Sequence, residues 1–338
     1  MRTFRDFMES ALYDPEKGYY STRAQTADFY TAPELHPAFG GVLADRLASL
    51  LQRVRAEKPG EPLTLVEAGA GDGTLALQVA RRLREKHPGE AEALRFILLE
   101  RSRKDLTTAS RRLTAFGIPV EAFTGVERLP KFSGVLYSNE LLDALPSHLL
   151  EKRDGEVLEV YVDEGGQAAL GPVSTLELAV HAMKIAPVLS EGERHAVGLE
   201  APRWLTSAAQ CLNAGFIVSL DYGKRLTEAT PNAPRAYRNH RIEDDLTSEP
   251  GTKDLTVPVD FAALIHAGEA AGAGLESYST LARFLLDGGI EAWFQAAAGA
   301  GASSYKERAQ LKTLIHPEGM GEAFKVLVQR KAISPKTL

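Results

Sequence analysis

The sequence predicts an α/β chain built on an open parallel sheet with helices on both faces. Two observations carry that expectation. Strand-sized apolar runs alternate with helix-period segments through the first 140 residues, and a glycine-rich turn lies between the first such run and its helix. The 338 residues are 44% hydrophobic and 25% charged, with 39 basic against 45 acidic side chains for a net charge of -6. That balance excludes a disordered or fibrous chain and argues against general affinity for nucleic acid.

Pro37 to Leu51 reads as a helix, because Phe39, Val42, Leu43, Leu47, Leu50 and Leu51 recur at helical spacing. After a polar stretch, Leu63 to Ala68 (LTLVEA) reads as a buried strand, and a helix is expected immediately beyond Gly73, where Leu75, Val79 and Leu83 return every four positions. Arg95 to Glu100, Pro119 to Phe123 and Gly134 to Ser138 supply further strands, with a helix over Asp105 to Phe116. Asp154-Gly155 between two extended runs predicts a hairpin with a type I′ turn. Arg203 to Ala214 is expected to be helical and Phe216 to Leu220 a central strand. Residues 224–259 read as a long irregular loop on the substrate side. Further helices are expected over Phe261 to Gly268, Ser279 to Leu286 and Ser304 to Ile315, then a terminal strand over Ala323 to Gln329. One elaborated domain over 1–338 is expected, with a helical and lid region over 1–60 and a hairpin and helical insert over 147–200.

The strongest local signal is Glu67-Ala68-Gly69-Ala70-Gly71-Asp72-Gly73-Thr74. Glycines at alternate positions let the main chain turn sharply against a ligand, and the helix start offers unpaired amides. The spacing GxGxG differs from the dinucleotide pattern GxGxxG, and Glu100, the next strand-end carboxylate, is 33 residues beyond Glu67, where about 20 is usual for a dinucleotide site. No Gly-Lys-Ser/Thr follows, so a P-loop is poorer still. A nicotinamide-dependent oxidoreductase and a purely structural turn stay open. Glu100 is a candidate for accepting ribose hydroxyls, or else a solvated strand end, and Glu67 orders the turn or meets a cofactor amino group.

The lone Cys211 excludes an internal disulfide framework. The first 20 residues lack the apolar core of a signal peptide, and no run is long enough to cross a bilayer. A cytoplasmic setting is the resulting expectation. The eight histidines show no HExxH spacing and the serines no GxSxG, so no metal is expected and simple hydrolysis is disfavoured. Between Arg81 and Arg112 ten basic residues stand against five acidic ones, a surplus suited to an acidic partner or to a solvated face.

Several segments together resemble the MidA-like family of S-adenosylmethionine-dependent methyltransferases, which includes the mitochondrial arginine methyltransferase required for assembly of respiratory complex I. They are PEKGYY at Pro15 to Tyr20, DFYTAPEL at Asp28 to Leu35, EAGAGDGTL at Glu67 to Leu75 and NELLDALP at Asn139 to Pro146. DYG at Asp221 to Gly223, Tyr237 with His240, the run from Pro250 to Phe261 and MGEAFKVL at Met320 to Leu327 extend the likeness almost end to end. Departures are Ala27, Ala70 and Leu281, the last where the family often has glutamine.

The resemblance implies a seven-stranded Rossmann-like class I methyltransferase core with helical and antiparallel inserts, and S-adenosyl-L-methionine as cofactor. Glu67, Gly69, Gly71, Gly73 and Thr74 would hold its methionine part and Glu100 its ribose. Asn139, Glu140 and Asp143, at the end of a predicted strand, form an expected active-site wall: Glu140 and Asp143 anchor a guanidinium, and Asn139 orients cofactor or target nitrogen. Asp28, Thr31 and Glu34 suggest a lid, Asp221, Tyr222 and Asp254 complete the pocket, and His240 is a candidate for proton acceptance or target positioning. Tyr19 and Tyr20 are candidates for stacking on the ligand or for ordinary packing. The implied partner is a protein, a subunit of a respiratory NADH-quinone oxidoreductase, with a homodimer also expected. A cofactor-binding assembly protein with little turnover is the alternative.

Overall fold

The structure is a computed structural model that describes residues 1–22, 31–226, 231–238, 241–299 and 301–332. Its contacts group into two compact units. The larger comprises the described residues of Thr31–Leu141, Trp204–Tyr222 and Ile265–Leu338, the smaller those of Met1–Tyr30, Leu142–Arg203 and Gly223–Leu264.

The larger unit is built on strands β1 (Leu63–Ala68), β2 (Leu94–Leu99), β3 (Val120–Phe123), β4 (Phe132–Asn139), β5 (Leu212–Lys224), β6 (Gly274–Thr280) and β7 (Phe324–Lys331). Their spatial order is β3-β2-β1-β4-β5-β7-β6. β1 to β5 are parallel, and β7 runs antiparallel to both β5 and β6. Every residue of β1 is buried, as a strand covered on both faces requires, which is why LTLVEA up to Glu67 is apolar but for Thr64. Helices Ala38–Glu57, Thr74–Lys86 and Arg103–Ala115 contribute Val42, Leu47, Val79, Leu83 and Leu113 to one core with Leu65, Val135 and Phe216 of the sheet.

The smaller unit holds the expected hairpin, His148–Arg153 with Glu156–Val162, and both Asp154 (φ 53) and Gly155 (φ 82) have the positive φ of a type I′ turn. Helix Phe4–Tyr13 buries Phe4, Phe7, Met8 and Leu12 beside Leu149, Val160 and Val162 of that sheet.

Three sequence expectations are corrected. Residues 224–259 are not an irregular loop throughout: Arg235–Arg238, Arg241–Glu243 and Asp254–Thr256 make a three-stranded antiparallel sheet. Strands of three or four residues are too short to show a period of two. The helix expected from Ser279 begins at Leu281, because Gly274–Thr280 is β6 and the Thr280 hydroxyl accepts the Arg283 amide as a helix cap. The helix expected over Arg203 to Ala214 is Glu200–Cys211, and β5 starts at Leu212. Among the described residues no helix is long and apolar enough to cross a membrane.

Candidate active site

The glycine turn is tied to the end of β2: the Gly69 and Ala70 amides donate to the Leu99 carbonyl at 2.9 and 3.1 Å. Gly69, Gly71 and Gly73 have φ of 72°, 51° and 83°, a left-handed path that costs side chains other than glycine. At Gly73 a Cβ would also lie 2.7 Å from Ala109 Cα, so this position needs glycine for packing as well as for conformation. Asp72 Oδ1 accepts both the Thr74 amide (3.0 Å) and hydroxyl (2.7 Å), and Arg112 pairs with Asp72 Oδ2 at 2.8 Å.

Two carboxyl groups stand behind this turn. Glu100 accepts the Gly71 amide at 2.9 Å and the Ser102 amide at 2.7 Å; burial raises its pKa and those amides oppose the shift. Glu67, buried in β1, accepts the Tyr137 hydroxyl at 2.6 Å. Burial pushes it up to about 8 against the pull of that hydrogen bond, with Asp72 and Glu100 adding to the rise.

At the end of β4 the chain makes a strained turn. Glu140 has φ 51°, a left-handed conformation rare for a residue other than glycine. Its amide donates to the Leu220 carbonyl at 3.0 Å, and its Oε1 accepts from Asn139 Nδ2 at 2.9 Å and the Ala32 amide at 3.4 Å. Asn139 Oδ1 is buried without a partner among the described residues, a cost that a bound donor would remove. Thr31 caps helix Ala32–Leu35, its amide donating to Glu34 Oε2 at 3.3 Å, and Gln78 Nε2 reaches the Pro33 carbonyl at 2.8 Å. Asp221 is buried with its Oδ1 accepting the Tyr222 amide at 2.9 Å, and Leu281 lies in the apolar core.

Within the smaller unit, Asp143 is buried and its carbonyl accepts the Val257 amide at 2.9 Å. Asp254 Oδ1 accepts the Tyr20 hydroxyl at 2.7 Å, and Tyr19 is a buried ring packed edge-on to Tyr20. Asp28 and His240 lie outside the described residues.

The larger unit therefore brings together Glu67, the three glycines, Thr74, Glu100, Asn139, Glu140, Thr31, Glu34, Asp221 and Tyr222, while Asp143 and Asp254 belong to the smaller one. Sequence reasoning missed Tyr137, Asp72, Ser102 and Gln78. Only the register of β1 against β4 places Tyr137 opposite Glu67, and no spacing in the chain reports that register.

A buried and a half-buried carboxyl group at the glycine turn, Glu67 and Glu100, suit a ligand rich in hydroxyl and cationic donors, and they oppose a pyrophosphate. This disfavours the nicotinamide reading. The strand order, with its reversed β7, and the strand-end acids define a class I methyltransferase. The chain belongs to the family of S-adenosyl-L-methionine-dependent methyltransferases, whose family model matches residues 42–279. S-adenosyl-L-methionine is accordingly its methyl donor. The buried orphan Oδ1 of Asn139 and the glycine turn backed by Glu67 and Glu100 fit such a group.

Among relatives, the chain is 30% identical over 303 residues to the protein arginine methyltransferase NDUFAF7 homolog of Drosophila melanogaster, covering 79% of this chain and 66% of that protein. To the mouse protein arginine methyltransferase NDUFAF7 it is 27% identical over 357 residues, covering 95% and 79%. The structure of a COG1565 superfamily member from Burkholderia thailandensis, bound to S-adenosyl-homocysteine, superposes with a TM-score of 0.82 at 28% identity over 98% of this chain and 88% of that one. The fly and mouse relatives are named mitochondrial, which corrects the cytoplasmic expectation. One unpaired cysteine suits any reducing compartment and does not choose between them.

Proposed function

We propose that this methyltransferase modifies an arginine of a protein substrate, a subunit of a respiratory NADH-quinone oxidoreductase during its maturation. The observation that carries this reading is Glu140: a carboxylate on a strained backbone at the end of β4, held by Asn139 and the Ala32 amide. Open α/β sheets place reacting ligands at such strand ends. The names of the fly and mouse relatives support arginine as the acceptor. The resemblance to the MidA-like family supports complex I maturation.

When bound, the sulfonium donor supplies an electrophilic methyl group. Glu67, Gly69, Gly71, Gly73 and Thr74 hold its amino-acid end, and Glu100 accepts its ribose hydroxyls. Asn139 offers Oδ1 to donor or target. Glu140 anchors the acceptor guanidinium. Its charge orients one nitrogen lone pair and favours proton loss after transfer. Thr31 and Glu34 form part of the covering segment, with Asp221 and Tyr222 as further pocket residues. A second copy of the chain is the proposed partner at helix Leu176–Ile185, where Leu176 and Met183 are 86% and 68% exposed and Val180 lies between them.

Incubating the protein with labelled methyl donor and native cell protein, followed by mass spectrometry, tests the chemistry. The expected result is a methyl-arginine peptide whose formation falls by about 10²-fold or more in Glu140→Gln, with donor binding retained. Donor binding by the intact protein with no methylated product would instead favour the assembly role.

A further inference from the structure

We propose that Tyr137 is a positioning residue for the methyl donor: its hydroxyl sets the orientation and proton content of Glu67, and arrival of the donor's ammonium end expels a proton from this pair. The inference rests on the assignment of Glu67 to the donor's amino-acid end.

β1 and β4 are parallel neighbours with Glu67 directly opposite Tyr137, so the two side chains leave the same face of the sheet. Tyr137 is 1% exposed and Glu67 4%, and the hydroxyl donates to Glu67 Oε2 at 2.6 Å. The remaining oxygen, Oε1, is the one an ammonium would meet. A carboxyl group held in such a place normally has a cation beside it. Among the described residues no Lys, Arg or His forms an ion pair with Glu67. The ionisable groups that act on it are Tyr137, Asp72 and Glu100: the two acids disfavour its charge and only the phenol favours it.

In the free protein burial therefore favours the protonated form of this carboxyl, its pKa pushed up to about 8. A cationic ligand reverses the balance. The carboxyl O–H bond breaks, its proton passes to solvent, and the carboxylate pairs with the ammonium while still accepting from Tyr137. An arginine in place of Tyr137 would have neutralised Glu67 permanently and left nothing for the ligand to compensate. A phenol supplies orientation and one donor without supplying charge.

The test is titration calorimetry of the full chain with S-adenosylhomocysteine in buffers of differing ionisation heat. The intact protein is expected to release protons on binding at pH 7, and Glu67→Gln to lose that release. Tyr137→Phe removes only the hydroxyl. It is expected to weaken binding about tenfold at pH 7 and progressively less toward pH 9, as Glu67 ionises in both proteins. The ligand's own ionisation cancels in the ratio of the two affinities. A ratio that is flat with pH, or proton release unchanged in Glu67→Gln, would overturn the proposal. Should Tyr137→Phe not fold, the Glu67→Gln measurement decides alone. Failure of the intact protein to bind the ligand would sink the underlying site assignment instead, so the two failures are distinguishable.

Discussion

Glu67 is a buried carboxyl group that accepts the Tyr137 hydroxyl. Its place two positions before the first turn glycine marks it as a site residue, and so does Glu100 at the end of the next strand. Its partner does not show in the chain, because Tyr137 lies 70 positions away and reads as an ordinary strand aromatic. The pairing of Tyr20 with Asp254, two residues the chain marks separately, is hidden for the same reason. A stability prediction follows from the burial of Glu67. Its folded-state pKa of about 8 lies above the ordinary value of 4.5, so between those values the folded protein keeps a proton that the unfolded chain has lost. Stability from this group is therefore fully retained below pH 4.5 and declines as pH rises toward 8, with a slope on the order of 1 kcal/mol per pH unit. Glu67→Gln escapes that decline. Calorimetric melting temperatures of variant and parent should separate in the variant's favour as pH rises from 5 to 8. A separation that stays constant would reject the buried-acid account.

At the scale of elements, the turn from Gly69 to Gly73 was readable because backbone conformation restricts residue choice, and Asp154-Gly155 was readable for the same reason. The short strands at 235–256 and β6 were not, since their pairing partners lie outside any local window. Two glycines separate conformation from packing. Gly60 and Gly73 share φ 83°, yet a Cβ at Gly60 meets nothing while one at Gly73 meets Ala109. Gly60→Ala should cost about 1 kcal/mol of backbone strain and Gly73→Ala about 3 kcal/mol or more, with donor binding weakened only in the second. Urea denaturation of both variants measures the difference. Equal losses would mean that helix Arg103–Ala115 yields to the added methyl group.

For the whole molecule, the exposed stripe of Leu176, Val180 and Met183 is the feature that composition could not reveal, since those residues count equally as core in any tally of hydrophobics. Light scattering coupled to size exclusion should report a dimer for the parent chain and a monomer for a Leu176→Glu, Met183→Glu double variant, with the melting temperature little changed. An unaltered mass would place any self-association elsewhere. What this sequence determined by itself was local: the alternation of strands and helices, the left-handed glycines, and the carboxyl groups at two strand ends. Backbone sterics and periodic burial act over a few residues, so they leave a mark in a single segment. What only the tertiary structure decided was pairing: the reversed β7 at the sheet's side, Glu67 against Tyr137, and Glu140 bent into a left-handed turn below Leu220. Those depend on which distant segments meet, and burial energy selects such meetings without leaving a spacing in the chain.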